Sequence, residues 1–218
     1  MIQTMKRHTL LHIIYSVALI LISFSGSSYS FQGKELLISL SAAINDHSHN
    51  PGTVVLRYTE TQNLMGEAEG GTSLHIYSDG YAHVYYPAYM KRAGNYGLYL
   101  EPDTMDHLWS LLTSAEILEF DGNVVRQRVL VARQKQKESL LTFTNVSDAS
   151  SLIIEIYPNR YKSVEYMEGD INAFKKIYWS GLRWDAQQFP EIKKIQSLAN
   201  IQQVLLAIMA RSDLKKIE

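Results

Sequence analysis

Cysteine is absent from all 218 residues, and that one absence closes several routes. Without a thiol there is no disulfide framework, no thiolate metal site and no cysteine nucleophile, and no residue that a lipoprotein signal could acylate. Proline is also scarce, with 5 residues, and neither sign of charge dominates, with 21 Lys and Arg against 22 Asp and Glu. A chain so balanced has no general affinity for nucleic acid or for an anionic membrane surface. Long apolar runs are missing except at the N-terminus.

That N-terminal stretch has the order of a signal peptide. Lys6, Arg7 and His8 precede an apolar run from Leu10 to Phe24, followed by Ser25, Gly26, Ser27 and Ser28. A positive end is retained at the cytoplasmic face, a short apolar segment enters the translocon, and small residues admit the peptidase. Cleavage before Phe31 would place Ser28 and Ser30 at the −3 and −1 positions. The run is shorter than the roughly 18 to 20 residues a spanning helix needs, so an uncleaved anchor is the second choice. Removing residues 1–30, which carry two bases and no acid, leaves 19 basic and 22 acidic groups, a net charge of about −3 on about 188 residues. An exported chain without cysteine fits a bacterial envelope, periplasmic or secreted, with no membrane anchor after cleavage. Residues 31–218 are long enough to bury one core.

Along that region, Leu36–Ile44 suits a short helix or an apolar strand, and Val54–Thr59 a strand. The best-defined element is a hairpin, Leu74–Tyr77 and Tyr81–Tyr86 around Ser78-Asp79-Gly80. A two-residue loop would mix polar and apolar groups on both faces. A three-residue loop with Gly80 left-handed pairs Ile76 with Ala82, His75 with His83 and Leu74 with Val84. One face then carries Leu74, Ile76, Ala82 and Val84, the other His75, Tyr77, Tyr81, His83 and Tyr85. Such segregation fixes register, so the second loop is preferred.

Gly94 and Gly97 suggest a turn region before a short strand at Leu98–Leu100. Pro102 opens a helix with Met105, Leu108, Trp109, Leu112 and Ala115 at helical spacing. Val124–Ala132 and Leu140–Thr144 read as strands joined by a basic connection, Ser151–Tyr157 and Tyr161–Tyr166 as a hairpin around Pro158-Asn159-Arg160. Asp170 is expected to cap a helix through Phe174 and Ile177, closed by Gly181. The expected fold is α+β: an antiparallel sheet from two hairpin-plus-helix units, 54–118 and 124–181, with helices on one face. A long C-terminal helix over 190–211 places Ile192, Ile195, Leu198, Leu205 and Ile208 on one side.

The tyrosine-rich strand pair around an Asp-Gly turn, a Gly-Tyr strand, a helix, Val146-Ser147-Asp148 before Leu152-Ile153-Ile154-Glu155-Ile156, and Lys162-Ser163-Val164-Glu165-Tyr166 together resemble an uncharacterised family of secreted bacterial domains. The resemblance spans Val54 to Trp184 in order of elements. It implies the address and the fold class and carries no catalytic residues. Members often have cysteines near the first hairpin, a feature this chain lacks.

Three groups of residues invite a ligand. Asp46, His47 and His49 could hold Zn or Cu, since imidazoles two apart in an extended segment point the same way; a solvated loop before Pro51-Gly52 is the preferred reading, because spacing does not supply a third and fourth ligand. His75 and His83 could add ligands from the sheet. Exposed rings at Tyr77, Tyr81 and Tyr85 suit recognition of a protein, peptide or glycan, because they offer large area at little entropic cost. Tyr86, Tyr89 and Tyr96 extend the tyrosine-rich region. Arg126, Arg128, Arg133, Lys135 and Lys137 form a basic cluster that fits an acidic partner, an anionic glycan or a charged edge strand. No Gly-x-Ser-x-Gly elbow, His-Glu-x-x-His or phosphate loop occurs, and Glu67 and Glu69 sit in a loop without readable partners. The reading is therefore a non-catalytic binding or accessory domain, with no cofactor. The alternatives are a metal-binding envelope protein and an inhibitor-like module for an exported protease.

Overall fold

The computed structural model describes residues 52–62, 70–138, 149–162 and 170–217, with the side chains of Lys137 and Glu138 excepted. The N-terminal signal, the segment 36–44, Asp46, His47, His49, Glu67, Glu69 and Leu140–Thr144 lie outside the described residues.

The fold is α+β. Four strands come first, β1 (Val54–Thr61), β2 (Thr72–Tyr77), β3 (Tyr81–Tyr86) and β4 (Gly94–Tyr99). Helices α1 (Pro102–Leu112), α2 (Ala115–Leu118) and α3 (Gly122–Glu138) follow. After β5 (Ser151–Ile156), a 3₁₀ turn at Pro158–Arg160 and β6 (Lys175–Ser180), the chain ends in α4 (Leu182–Gln188), α5 (Lys193–Met209) and β7 (Lys215–Ile217). All seven strands join one antiparallel sheet in the order β6-β5-β1-β2-β3-β4-β7.

The 74–86 hairpin has the three-residue loop and the register that segregates its faces. Gly80 sits at φ 84°, donates to the Tyr77 carbonyl at 3.0 Å, and the Asp79 carboxylate accepts from the Tyr81 amide. Leu74, Ile76, Ala82 and Val84 are fully buried. With Leu56, Tyr58, Ile154, Ile156, Ile177 and Trp179 they floor a single core that the helices roof. α1 contributes Met105, Leu108, Trp109 and Leu112, and α5 contributes Ile195, Leu198, Ile201, Leu205 and Ile208 at the spacing expected of an amphipathic helix.

Several expectations change. Gly94 and Gly97 lie within a strand, β4, rather than a turn. Residues 122–138 are helical: Asp121 accepts from the amides of Asn123 and Val124 at 2.8 and 3.2 Å and caps α3, and these donors hold its carboxyl below the usual range. Only Val125 and Val129 of α3 are fully buried apolar residues, so it lacks the broad apolar stripe that announces a helix. Residues 175–180 are a strand, in which Ile177 and Trp179 point inward and Lys176, Tyr178 and Ser180 outward. Gly181, left-handed at φ 73°, starts α4 rather than closing a helix. β5 has β1 on one edge and β6 on the other; Tyr161 and Lys162 are not in a strand, and residues 163–166 of the expected hairpin lie outside the described residues. After residue 122 a helix, α3, comes first, and β5 then pairs antiparallel with β6 ahead of α4. No described helix is long and apolar enough to cross a membrane.

Candidate functional site

The helices roof one side of the sheet; the alternate residues of each strand form the other side, and no described helix lies over the hairpin there. His75, Tyr77, Tyr81, His83 and Tyr85 all stand on this face and are half-buried. Tyr86 does not: it is on the core side, and its hydroxyl donates to the Met209 carbonyl at 2.6 Å. Tyr96 joins it there, with ring centroids 5.7 Å apart, so neither belongs to the hairpin's outer face.

A run of rings crosses three adjacent strands. The Tyr77 and Tyr81 centroids are 5.8 Å apart, and those of Tyr81 and Tyr99 5.3 Å. Tyr99, absent from the sequence-based site, is 52 % exposed. Gly97 makes room for this run, because a Cβ there would lie 2.4 Å from the Tyr81 hydroxyl oxygen and 3.0 Å from ring carbons. The Tyr81 ring thus rests on the bare backbone of the neighbouring strand, which fixes its position on the surface.

Beside the rings runs a polar row. His75 faces His83, with ring centroids 6.1 Å apart and edge to face. His83 Nε2 is 3.1 Å from Asn95 Oδ1. On the other side of His75, Arg57 reaches the Tyr157 hydroxyl at 2.8 Å and Glu155 at 3.4 Å. Lys176 completes the row with a 2.9 Å bond to Glu155. That bond, and then the Arg57 contact, holds the Glu155 carboxyl below its ordinary range.

Burial, then the neighbouring His83 and Arg57, pushes the His75 imidazole below the ordinary histidine range near 6.5. The folded state therefore binds a proton at His75 less readily than the unfolded chain. Its contribution to stability is complete above pH 6.5 and is lost as pH falls through the lowered folded value. We expect the urea midpoint to drop between pH 7 and pH 5 and His75→Asn to flatten that slope. An unchanged slope in the variant would remove His75 as the cause.

Asp46, His47 and His49 lie outside the described residues, so only His75 and His83 of the expected metal ligands can be placed. Among the described residues, no three His, Asp or Glu side chains come together as a ligand set. The basic cluster is dispersed around α3, where residues two apart diverge by about 200°, so Arg126 and Arg128 do not share a face. Arg126 lies over the Trp179 ring at 5.7 Å, and Arg133 turns inward to Asp185. Arg128 and Lys135 instead line a shallow depression of about 530 Å³ with Val131 and Ile192.

Arg57, Glu155 and Lys176 escaped the sequence analysis because only the strand order brings them beside the hairpin. Comparison of the chain with protein-family models, curated proteins and solved structures finds no match.

Proposed function

We propose that the chain is exported to the bacterial periplasm or beyond, and acts there as a non-catalytic binding domain. Its ligand, a protein, peptide or glycan, lies on the sheet face opposite the helices, against Tyr77, Tyr81 and Tyr85, with His75 and His83 alongside. The address rests on the basic, apolar and small-residue order of residues 6–30. The carrying observation for binding is the ring run over β2, β3 and β4, which lies on the side of the sheet opposite the core. Rings that served only as core would be expected under the helices, where Tyr58 and Tyr86 are found.

The test is capture from envelope extracts by the wild-type chain and by Tyr81→Ala and Tyr85→Ala. Both variants should retain the cooperative unfolding transition, since half-exposed rings contribute about 1 kcal/mol to stability. Capture should fall at least about tenfold, the effect of losing a central aromatic anchor. Undiminished capture by both variants would remove the face from the binding surface.

A further inference from the structure

The face opposite the helices carries two parallel rows of different chemistry. Strand register aligns Lys176, Glu155, Arg57, His75, His83 and, past Gly97, Lys215 across all seven strands. At about 4.8 Å per strand this row extends for about 29 Å. Two residues further along the inner strands, about 7 Å away, lies the row of Tyr77, Tyr81 and Tyr99. The polar row holds three permanent cations against one carboxylate, on a chain whose net charge is −1. Glu155 pairs with both Arg57 and Lys176, and the Asp79 carboxylate acts on Tyr81 and Tyr99, so the excess of positive charge belongs to the polar row itself.

The backbone limits what can lie there. Amides and carbonyls of the inner strands are consumed in the ladders, so the face offers side chains only. An extended peptide gains most from a sheet edge, where its own backbone finds ladder partners. A glycan has no such need: its C–H faces pack on aromatic rings, and its acidic groups meet cations. We propose that this face binds a linear acidic polysaccharide, its sugar rings on Tyr77, Tyr81 and Tyr99 and its carboxylates on Arg57, His75, His83 and Lys215, with proton uptake by His75 tightening the complex below neutral pH. This rests on the binding reading above and specifies its ligand and its control.

The pH dependence follows from the groups around the imidazoles. His75 lies between Arg57 and His83, with Glu155 beyond Arg57; His83 lies between His75 and Lys215, with Asn95 bonded to its ring. Tyr77, Tyr81 and Tyr85 flank both. In the free protein, burial and then the neighbouring His83 and Arg57 oppose a proton on His75. A carboxylate between them offsets that opposition, so the complex takes up a proton that the free protein does not. Uronate carboxyls stay ionised at pH 5.5, so the ligand itself keeps its charge.

The experiment titrates the full chain calorimetrically with an oligogalacturonate and with a neutral galactan oligomer of equal length, at pH 5.5 and 7.5. The acidic oligomer should bind about tenfold more tightly at pH 5.5, as expected for about one linked proton that titrates over part of the interval. The neutral oligomer should bind weakly and without pH dependence. His75→Asn should abolish the gain at pH 5.5, and Arg57→Gln should weaken the acidic oligomer at both pH values. Tyr81→Ala should weaken both oligomers. Equal binding of the two oligomers without a pH effect overturns the acidic ligand and leaves the tyrosine face standing as a glycan site. Binding that Tyr81→Ala does not diminish overturns this placement on the face. Failure of both oligomers to bind overturns the inference, while envelope capture judges the broader reading separately. A dimer in sedimentation velocity that Tyr81→Ala dissociates would make a second copy the occupant and overturn it as well.

Discussion

Asp185→Ala is expected to cost about 3 kcal/mol, enough to lower the melting temperature by roughly 6 to 12 °C in a domain of this size. The side chain is 4 % exposed and joins three elements. From α4 it accepts the Trp179 indole N–H of β6 at 3.0 Å and a guanidinium N–H of Arg133 from α3. Its loss strands a donor on Trp179, which is 2 % exposed, and a charge on Arg133. A buried unsatisfied donor costs about 1 to 3 kcal/mol, and a bond to a charged group contributes a similar amount. Arg133 retains 35 % side-chain exposure, so water compensates it in part and the total stays near the lower end of that sum. Arg133→Met added to Asp185→Ala should recover part of the loss, because it removes the uncompensated cation. Urea unfolding checks this through a lowered midpoint at unchanged slope. A cost below about 0.5 kcal/mol would mean that α3 docks by Val125 and Val129 alone.

The same three elements mark the limit of what local sequence reveals. The hairpin was legible because Asp79-Gly80 supplies the turn and only one register separates Leu74, Ile76, Ala82 and Val84 from the tyrosines. The C-terminal helix was legible because α5 repeats its apolar positions over 17 residues. In contrast, α3 gathers β-branched residues at Val124, Val125, Val129 and Val131, of which only two are buried, so its composition favours a strand while its Arg, Gln and Lys favour a helix. Its anchor, Asp185, is 52 residues away. β6 shows its two-residue period only at Ile177 and Trp179. Phe174, three residues before Ile177, mimics helical spacing, although it is 51 % exposed.

Long range also hid half of the candidate site. His75 and His83 face each other through a local turn, whereas Arg57 and Glu155 meet across 98 residues. Placing them requires β1 to lie between β2 and β5, a choice made by the whole core. A single strand contributes one side chain to the row, and nothing local distinguishes Arg57 from any other exposed arginine.

Gly71→Ala should be the more damaging of two neighbouring glycine substitutions, at about 3 kcal/mol against about 1 to 2 kcal/mol for Gly70→Ala. Gly70 has φ 66° and nothing within 4 Å of a Cβ, so alanine there meets only the strain of the left-handed region. At Gly71 a Cβ would stand 2.1 Å from the Glu60 carbonyl oxygen and 2.7 Å from Thr61 Cγ2. The first obstacle is backbone and cannot rotate away, so β1 and β2 must part where Glu60 pairs with Thr72. Glu60 also carries the polar network over this end of the core. It accepts from Tyr58 Oη and Ser150 Oγ, each at 2.7 Å, and from Gln202 Nε2 at 3.3 Å. Burial, then the Glu60 charge, holds the Tyr58 hydroxyl far above the ordinary phenol range, so it remains a donor at any working pH. Denaturant curves of the two variants separate the mechanisms: equal losses would show that backbone conformation rather than the β1–β2 contact sets the cost. The displacement also begins at the head of β2, the strand that carries His75 and Tyr77, so Gly71→Ala should weaken ligand capture as well, while Gly70→Ala should not.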